Sequence, residues 1–250
     1  MGWLRTAARA VLIAVQALVG LLTLFLLFPF MKVATRDRIS SAYLRVLLRV
    51  CGVQARVHGA PLPRDHGELV VSNHVSWLDV MALHTLGPVA FVSKSEVRDW
   101  PVIGVLAERS GTLFIERGRR RAVHAVIEAI AARLGQRRHC VVFAEGTTGD
   151  GSAVLPFHSN LLKAALEART PLRPVVVVYR HEGRLSRLAA YDGDMSLLDS
   201  LRLVLPARRI SVDVIALEAI EPAPDETRHH LAERVHAVIA AAHRQELERP

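Results

Sequence analysis

From Ala10 to Met31 the chain runs for 22 residues without a charge, interrupted among polar or flexible types by Gln16, Gly20 and Thr23. About 20 such residues are enough to cross the hydrocarbon of a bilayer. A cleaved secretory signal is the alternative, but its apolar region is usually about 7 to 15 residues long and ends at a small-residue cleavage site. This run ends in Phe28-Pro29-Phe30-Met31-Lys32, so it is read as a retained membrane anchor. Arg5 and Arg9 precede it, whereas Lys32, Arg36, Arg38, Arg45 and Arg49 follow. That bias places the C-terminal side in the cytoplasm, at the inner membrane. Ser40 to Gly52 reads as a second helix, with Arg45 and Arg49 on one face and Leu44, Leu47, Leu48 and Cys51 on the other. Its apolar face either lies on lipid or packs on the protein, and the first segment either spans or returns as a hairpin with this helix. The expected division is residues 1–52, membrane anchor and interfacial helix, and residues 53–250, a single catalytic domain.

The net charge of +8 rests almost wholly on arginine. It suits anionic lipid headgroups, phosphate esters or an acidic carrier protein. Nucleic acid is disfavoured, because the cations are scattered and few aromatics are interleaved with them to form a stacking platform. Cys51 and Cys140 have neither metal-type nor redox-type spacing and read as buried thiols. His229, His230, His236 and His243, all near the C-terminus, read as surface residues, so no metal site is expected.

From Val53 onward short apolar runs alternate with helical patterns, the mark of an α/β layer. Strands are expected at Gln54 to His58, Leu69 to Ser72, Val89 to Ser93, Thr112 to Ile115, Cys140 to Phe143, Pro174 to Tyr179 and Ile210 to Leu217. The clearest helices are Ser76 to Thr85, Val102 to Arg109, Arg120 to Leu134, Asn160 to Ala168, Met195 to Leu203 and Thr227 to Gln245. The last carries Leu231, Val235, Val238 and Ile239 at helical spacing and should close the domain against the sheet.

His74 follows a strand and precedes a helix, the kind of connection where α/β proteins gather their sites. Asp79 lies five residues on. On one ideal helix the two side chains would point about 140° apart, so they meet only if His74 stands outside the helix. Asp79 then orients the imidazole and stabilises its charged form. The competing reading is a capping box over Ser76-Trp77-Leu78-Asp79, with Asp79 closing the first helical turn. The chain has no G-x-S-x-G elbow, and neither cysteine has a suggestive His and carboxylate nearby. A catalytic His74 would therefore deprotonate a substrate hydroxyl. Lys94 and Arg117 each end an expected strand and are candidates for a phosphate, or else are solvated surface charges. Glu145-Gly146-Thr147 again follows a strand: Glu145 would accept hydrogen bonds from a polyol or hold a cation, and Gly146 would allow close approach to backbone. Gly149-Asp150-Gly151 is a turn.

In order, these blocks resemble the glycerolipid acyltransferase family that includes 1-acyl-glycerol-3-phosphate acyltransferases. Asn73-His74 to Asp79 matches its N-H-x-x-x-x-D; Lys94, Glu96, Pro101 and Gly104 match a second block; Gly111, Phe114, Ile115 and Arg117 match a third. Glu145-Gly146-Thr147 matches its E-G-T block, and Pro174 with Val175 to Val178 its final strand block. The resemblance implies an α/β fold with a mixed sheet flanked by helices, and an O-acyltransferase without a cofactor. His74, oriented by Asp79, would be the general base. Asn73, Lys94, Arg117, Glu145, Gly146 and Thr147 would bind substrates. The partners would be membrane lipids, a lysolipid acceptor, and acyl-CoA or acyl carrier protein as donor. The acceptor expected first is 1-acyl-glycerol-3-phosphate, with a lyso-ornithine lipid or a non-catalytic lipid-binding protein as the alternatives. The family's third block usually reads F-P-E-G-T-R-S, whereas here Ala144 replaces the proline and Thr148 the arginine. The missing cation weakens the case for a phosphate headgroup.

Overall fold

The computed structural model describes residues 2–116 and 120–249, without the Arg120 side chain. In chain order it contains α1 (Gly2–Leu22), α2 (Val33–Val50), β1 (Val53–His58), β2 (Leu69–Ser72), α3 (Leu78–Leu83), β3 (Val89–Lys94) and α4 (Ile103–Arg109). There follow β4 (Leu113–Ile115), α5 (Arg120–Gly135), β5 (His139–Val142), α6 (Lys163–Ala168), β6 (Leu172–His181), β7 (Arg184–Leu185), α7 (Leu197–Val204), β8 (Ile210–Ala216) and α8 (Arg228–Glu248). The strands form one mixed sheet in the order β1-β8-β6-β2-β5-β3-β4, with β7 paired to β6. From β6 to β4 all neighbours are parallel, while β8 runs antiparallel to β6.

Strand alternation makes two cores. Val70, Val141, Val175, Val177, Val212 and Val214 face Leu48 of α2, Leu78 and Met81 of α3, and Val204 of α7. Leu69, Val71, Cys140, Val142, Val176 and Val178 face Ile130 of α5, Ala164 of α6, and Leu231, Val235 and Ile239 of α8. Covering helices on both faces explain why the central strands read as unbroken apolar runs.

The apolar segment forms α1, a wide turn at Thr23–Leu27 and a tight turn at Phe28–Phe30 that contains Pro29. The uninterrupted helical stretch Gly2–Phe30 is long and apolar enough to cross a membrane. Even so, both of its ends touch the rest of the protein. Arg9 donates to the carbonyls of Leu205 (2.7 Å) and Ala207 (2.8 Å), and the Arg109 guanidinium sits 4.3 Å from the centroid of the Phe25 ring. Midway, Tyr43 of α2 donates its hydroxyl to the Gln16 carbonyl. One stripe of α1, including Leu4, Val11, Leu12, Val15, Leu18, Val19 and Leu22, remains exposed. α2 starts at Val33, earlier than the expected Ser40, and buries Leu48 with Leu44, Leu47 and Cys51 against the core, so its apolar face packs on protein.

Two expectations need correction. His243 is 1% exposed and is not a surface residue. It continues the buried stripe Leu231, Val235, Ile239 one turn further, and Glu246 follows it inside. Polarity hid this position from a reading based on apolar spacing. The two-residue β7 was also missed; Glu182 (φ 53°) and Gly183 (φ 85°) supply the two left-handed residues that a tight hairpin turn requires.

Candidate active site

The parallel strands β6, β2, β5, β3 and β4 present their C-terminal ends along one edge of the sheet. From β2 the chain leaves through α3 toward β3, and from β6 it leaves through β7 and α7 toward β8, in the opposite direction across the sheet. Divergent connections of this kind open a crevice. His74 stands at that place.

Asn73 fixes where β2 ends. Its amide nitrogen donates to the Val177 carbonyl (3.0 Å) and its amide oxygen accepts from the Val177 N–H (2.8 Å), so a side chain continues the ladder to β6 where the backbone turns away. Expected among the substrate-binding residues, Asn73 is buried, with both amide atoms engaged. The next residue, His74, is held at its backbone from two sides: its N–H donates to Glu145 Oε1 (3.1 Å), and its carbonyl accepts from the Gly149 N–H (2.8 Å).

His74 Nδ1 lies 2.8 Å from Asp79 Oδ2. The same oxygen accepts the N–H groups of Val75 (2.7 Å) and Ser76 (2.9 Å), and Oδ1 accepts the Tyr179 hydroxyl (2.6 Å). The dyad and the capping interaction, set against each other in the sequence, coexist on one carboxylate. Asp79 is fully buried, and an ionised carboxylate in such a place requires this number of donors. With an acceptor at Nδ1, the proton belongs on that nitrogen and Nε2 keeps its lone pair. The His74 side chain is 17% exposed, which leaves it reachable. Phe143 stacks beneath the imidazole at 3.7 Å between centroids and 8° between planes, so the ring is fixed by its face as well as by its edge.

Tyr179 and Phe143 were not among the expected site residues. Both sit at the C-terminal ends of strands that flank β2, a signal available in the sequence once strand order is known. Burial and the Asp79 charge push the Tyr179 phenol well above its ordinary value and keep it a donor.

Glu145 is buried beside the dyad. Burial, with a smaller push from the Asp79 charge, raises its carboxyl to about 8, while hydrogen bonds from the His74 and Leu155 backbones pull it back. Its Oε2 makes no hydrogen bond of ordinary geometry among the described residues. Gly146 turns the chain with φ 71°, and Thr147 is exposed. Lys94 ends β3 on the same sheet edge with its side chain exposed. Arg117 lies outside the described residues. Thr148, where the family pattern has arginine, donates its hydroxyl to the Tyr191 carbonyl. Cys51 and Cys140 are buried free thiols pushed up to about 12, which removes them as nucleophiles. The described residues hold no cluster of metal-ligating side chains.

Comparison with known proteins adds independent findings. A family model described as Acyltransferase matches residues 54–178. A lyso-ornithine lipid O-acyltransferase of Pseudomonas aeruginosa is 38% identical over 83% of this chain and 79% of the relative. One from Brucella abortus is 36% identical over 86% and 87%. A 1-acyl-sn-glycerol-3-phosphate acyltransferase of Neisseria gonorrhoeae is 30% identical over 73% and 72%. Among solved structures, the 1-acyl-sn-glycerophosphate acyltransferase PlsC of Thermotoga maritima superposes with a TM-score of 0.74 at 20% identity, covering 100% of this chain and 97% of that one. This likeness shows that the mixed sheet with flanking helices is a shared fold.

Proposed function

The chain belongs to the acyltransferase family, and from that premise we propose that it moves a fatty acyl group from an acyl-CoA or acyl carrier protein thioester to the hydroxyl of a lyso-ornithine-type lysolipid, with His74 as general base. The single observation that carries the mechanism is the 2.8 Å contact between His74 Nδ1 and Asp79 Oδ2, made by a carboxylate that three further donors hold still. The acceptor hydroxyl gives its proton to Nε2 as its oxygen bonds to the thioester carbonyl carbon. When the tetrahedral intermediate collapses, the C–S bond breaks and the proton on His74 passes to the departing sulfur. The imidazole returns unchanged, so the scheme needs neither a covalent acyl-enzyme nor a cofactor.

Two observations favour an amino-acid headgroup over the lysophosphatidate expected first. Thr148 stands in place of the family's arginine, and relatives at 38% and 36% identity carry the lyso-ornithine name. Lys94 and Arg117 remain candidates for the donor's phosphates. Of residues 1–52, the apolar stretch Gly2–Phe30 serves as the membrane-attachment element and α2 packs on the catalytic domain at residues 53–250, with the protein on the cytoplasmic face of the inner membrane. The contacts of Arg9 and Phe25 with the domain support a reading in which the stretch Gly2–Phe30 lies along one leaflet.

The test is thiol release from an acyl thioester by the full chain in mixed micelles with a panel of lysolipids. Acylated product should form with a lyso-ornithine lipid, and His74→Ala should abolish it while the protein stays folded. Product formation undiminished in that variant removes His74 from the chemistry, and thiol release without any acylated lysolipid replaces transfer by hydrolysis.

A further inference from the structure

A cavity of about 290 Å³ opens beside the His74 loop, between the turn at residues 150–152, the hairpin that follows β6, and the end of α8. Val75, the residue after His74, forms one wall, with Val177, Val178, Leu185 and Leu247 among the apolar lining. Its charged lining is one pair of opposite sign: Arg187 Nη1 meets Asp150 Oδ2 at 3.0 Å. The other Asp150 oxygen accepts the Ser152 N–H (2.8 Å) and hydroxyl, so the carboxylate is aimed by its own turn and, with these donors and Arg187, held below its usual range. Arg187 is largely exposed and makes no second ion pair among the described residues, so its fork has donors to spare.

The neighbouring segment is tied to the His74 loop. Tyr191 donates its N–H to the Val75 carbonyl (2.9 Å) and accepts the Thr148 hydroxyl, and Asp192 and Asp194 follow, both exposed. Where the family pattern would have a cation, this chain therefore has a hydroxyl. A zwitterion matches both halves of the pair.

We propose that this cavity is the acceptor-headgroup subsite and takes an amino-acid headgroup, its carboxylate on Arg187 and its side-chain ammonium on Asp150. The inference rests on the acyltransferase reading above and names the group that this site recognises. An Arg–carboxylate contact is planar and two-pronged, and Asp150 offers the ammonium a localised charge. On binding, the headgroup replaces one exposed ion pair, worth little by itself, with two charge-assisted contacts. Val75 in the cavity wall ties the headgroup position to the imidazole one residue away.

The experiment measures acyl transfer by the full chain in mixed micelles with four acceptors: lyso-ornithine lipid, its carboxyl methyl ester, its side-chain N-acetyl derivative, and lysophosphatidate. Each blocked derivative should raise KM about tenfold for the unaltered protein with kcat nearly kept, the usual effect of losing one charged hydrogen bond. Arg187→Gln should erase the penalty for the ester but keep that for the acetyl derivative. Asp150→Asn should do the reverse. This crossed pattern comes from matched losses on acceptor and protein, which a merely structural defect does not produce. Unaltered penalties in both variants, or a preference of the unaltered protein for lysophosphatidate, would overturn the subsite and leave the acyltransferase reading standing. Absence of transfer to any lysolipid defeats that earlier reading itself.

Discussion

At the scale of single residues, Asp79 carries the heaviest duty, since one buried carboxylate closes the α3 turn, holds two backbone N–H groups and orients His74. Asp79→Asn keeps the shape but loses the charge that stabilises the imidazolium, so kcat should fall by about 10²- to 10⁴-fold. A rate within threefold of the parent would exclude that electrostatic role. Tyr179→Phe leaves Asp79 Oδ1 without its donor and should cost about 1 to 3 kcal/mol of stability, read by denaturant melting. Glu145 makes a prediction of pH dependence. Its folded value of about 8 exceeds the ordinary 4.5, so between the two the unfolded chain has released a proton that the folded chain keeps. Its contribution is thus fully present below the ordinary value and is lost as pH rises toward the folded one. Glu145→Gln, which has no proton to lose, should gain melting temperature relative to the parent between about pH 5 and about pH 8. A constant difference across that window means Glu145 titrates ordinarily. The meeting of His74 and Asp79 was legible because loop and helix positions five apart can face each other. Tyr179 was not, because it reaches Asp79 only through the β6-to-β2 pairing, a contact 100 residues apart in sequence.

Among the elements, strands were the most legible, because buried parallel strands need continuous apolar runs bounded by polar turns. The misses have physical causes: β7 is too short to show a period, and α8 buries His243 and Glu246 on its inner stripe. The most informative element is the helical stretch Gly2–Phe30, whose composition permits a span but whose Arg9 and Phe25 both contact the globular part. Cysteines introduced as Trp3→Cys and Lys32→Cys flank it, and both native thiols are buried and silent. In proteoliposomes with one orientation, an impermeant maleimide should label both positions from the same side. Labelling of the two from opposite sides would show that the helix crosses the bilayer.

For the molecule as a whole, the expected boundary at residue 52 falls inside one hydrophobic cluster. Leu48 of α2 and Cys51 just after it share that cluster with Val70, Leu78 and Val177, whereas α1 adds Ile13 at its margin and exposes most of its own apolar surface. Charge and hydropathy mark where the apolar run ends, and they carry no information about which helix completes the core. The two N-terminal helices therefore differ in kind, and two truncations separate them. Removing residues 1–31 strips a largely exposed apolar element, and the remainder should keep its far-ultraviolet circular dichroism and a cooperative melt while losing flotation with anionic vesicles. Removing residues 1–52 opens the core beneath α2 and uncovers side chains whose burial contributes about 1.5 to 3 kcal/mol each. Against a total stability of about 5 to 15 kcal/mol, that loss is large enough to produce aggregation or a non-cooperative melt. If the shorter fragment instead folds cooperatively and stays monomeric in gel filtration, α2 is an appendage, and the anchor and the catalytic unit are physically separable.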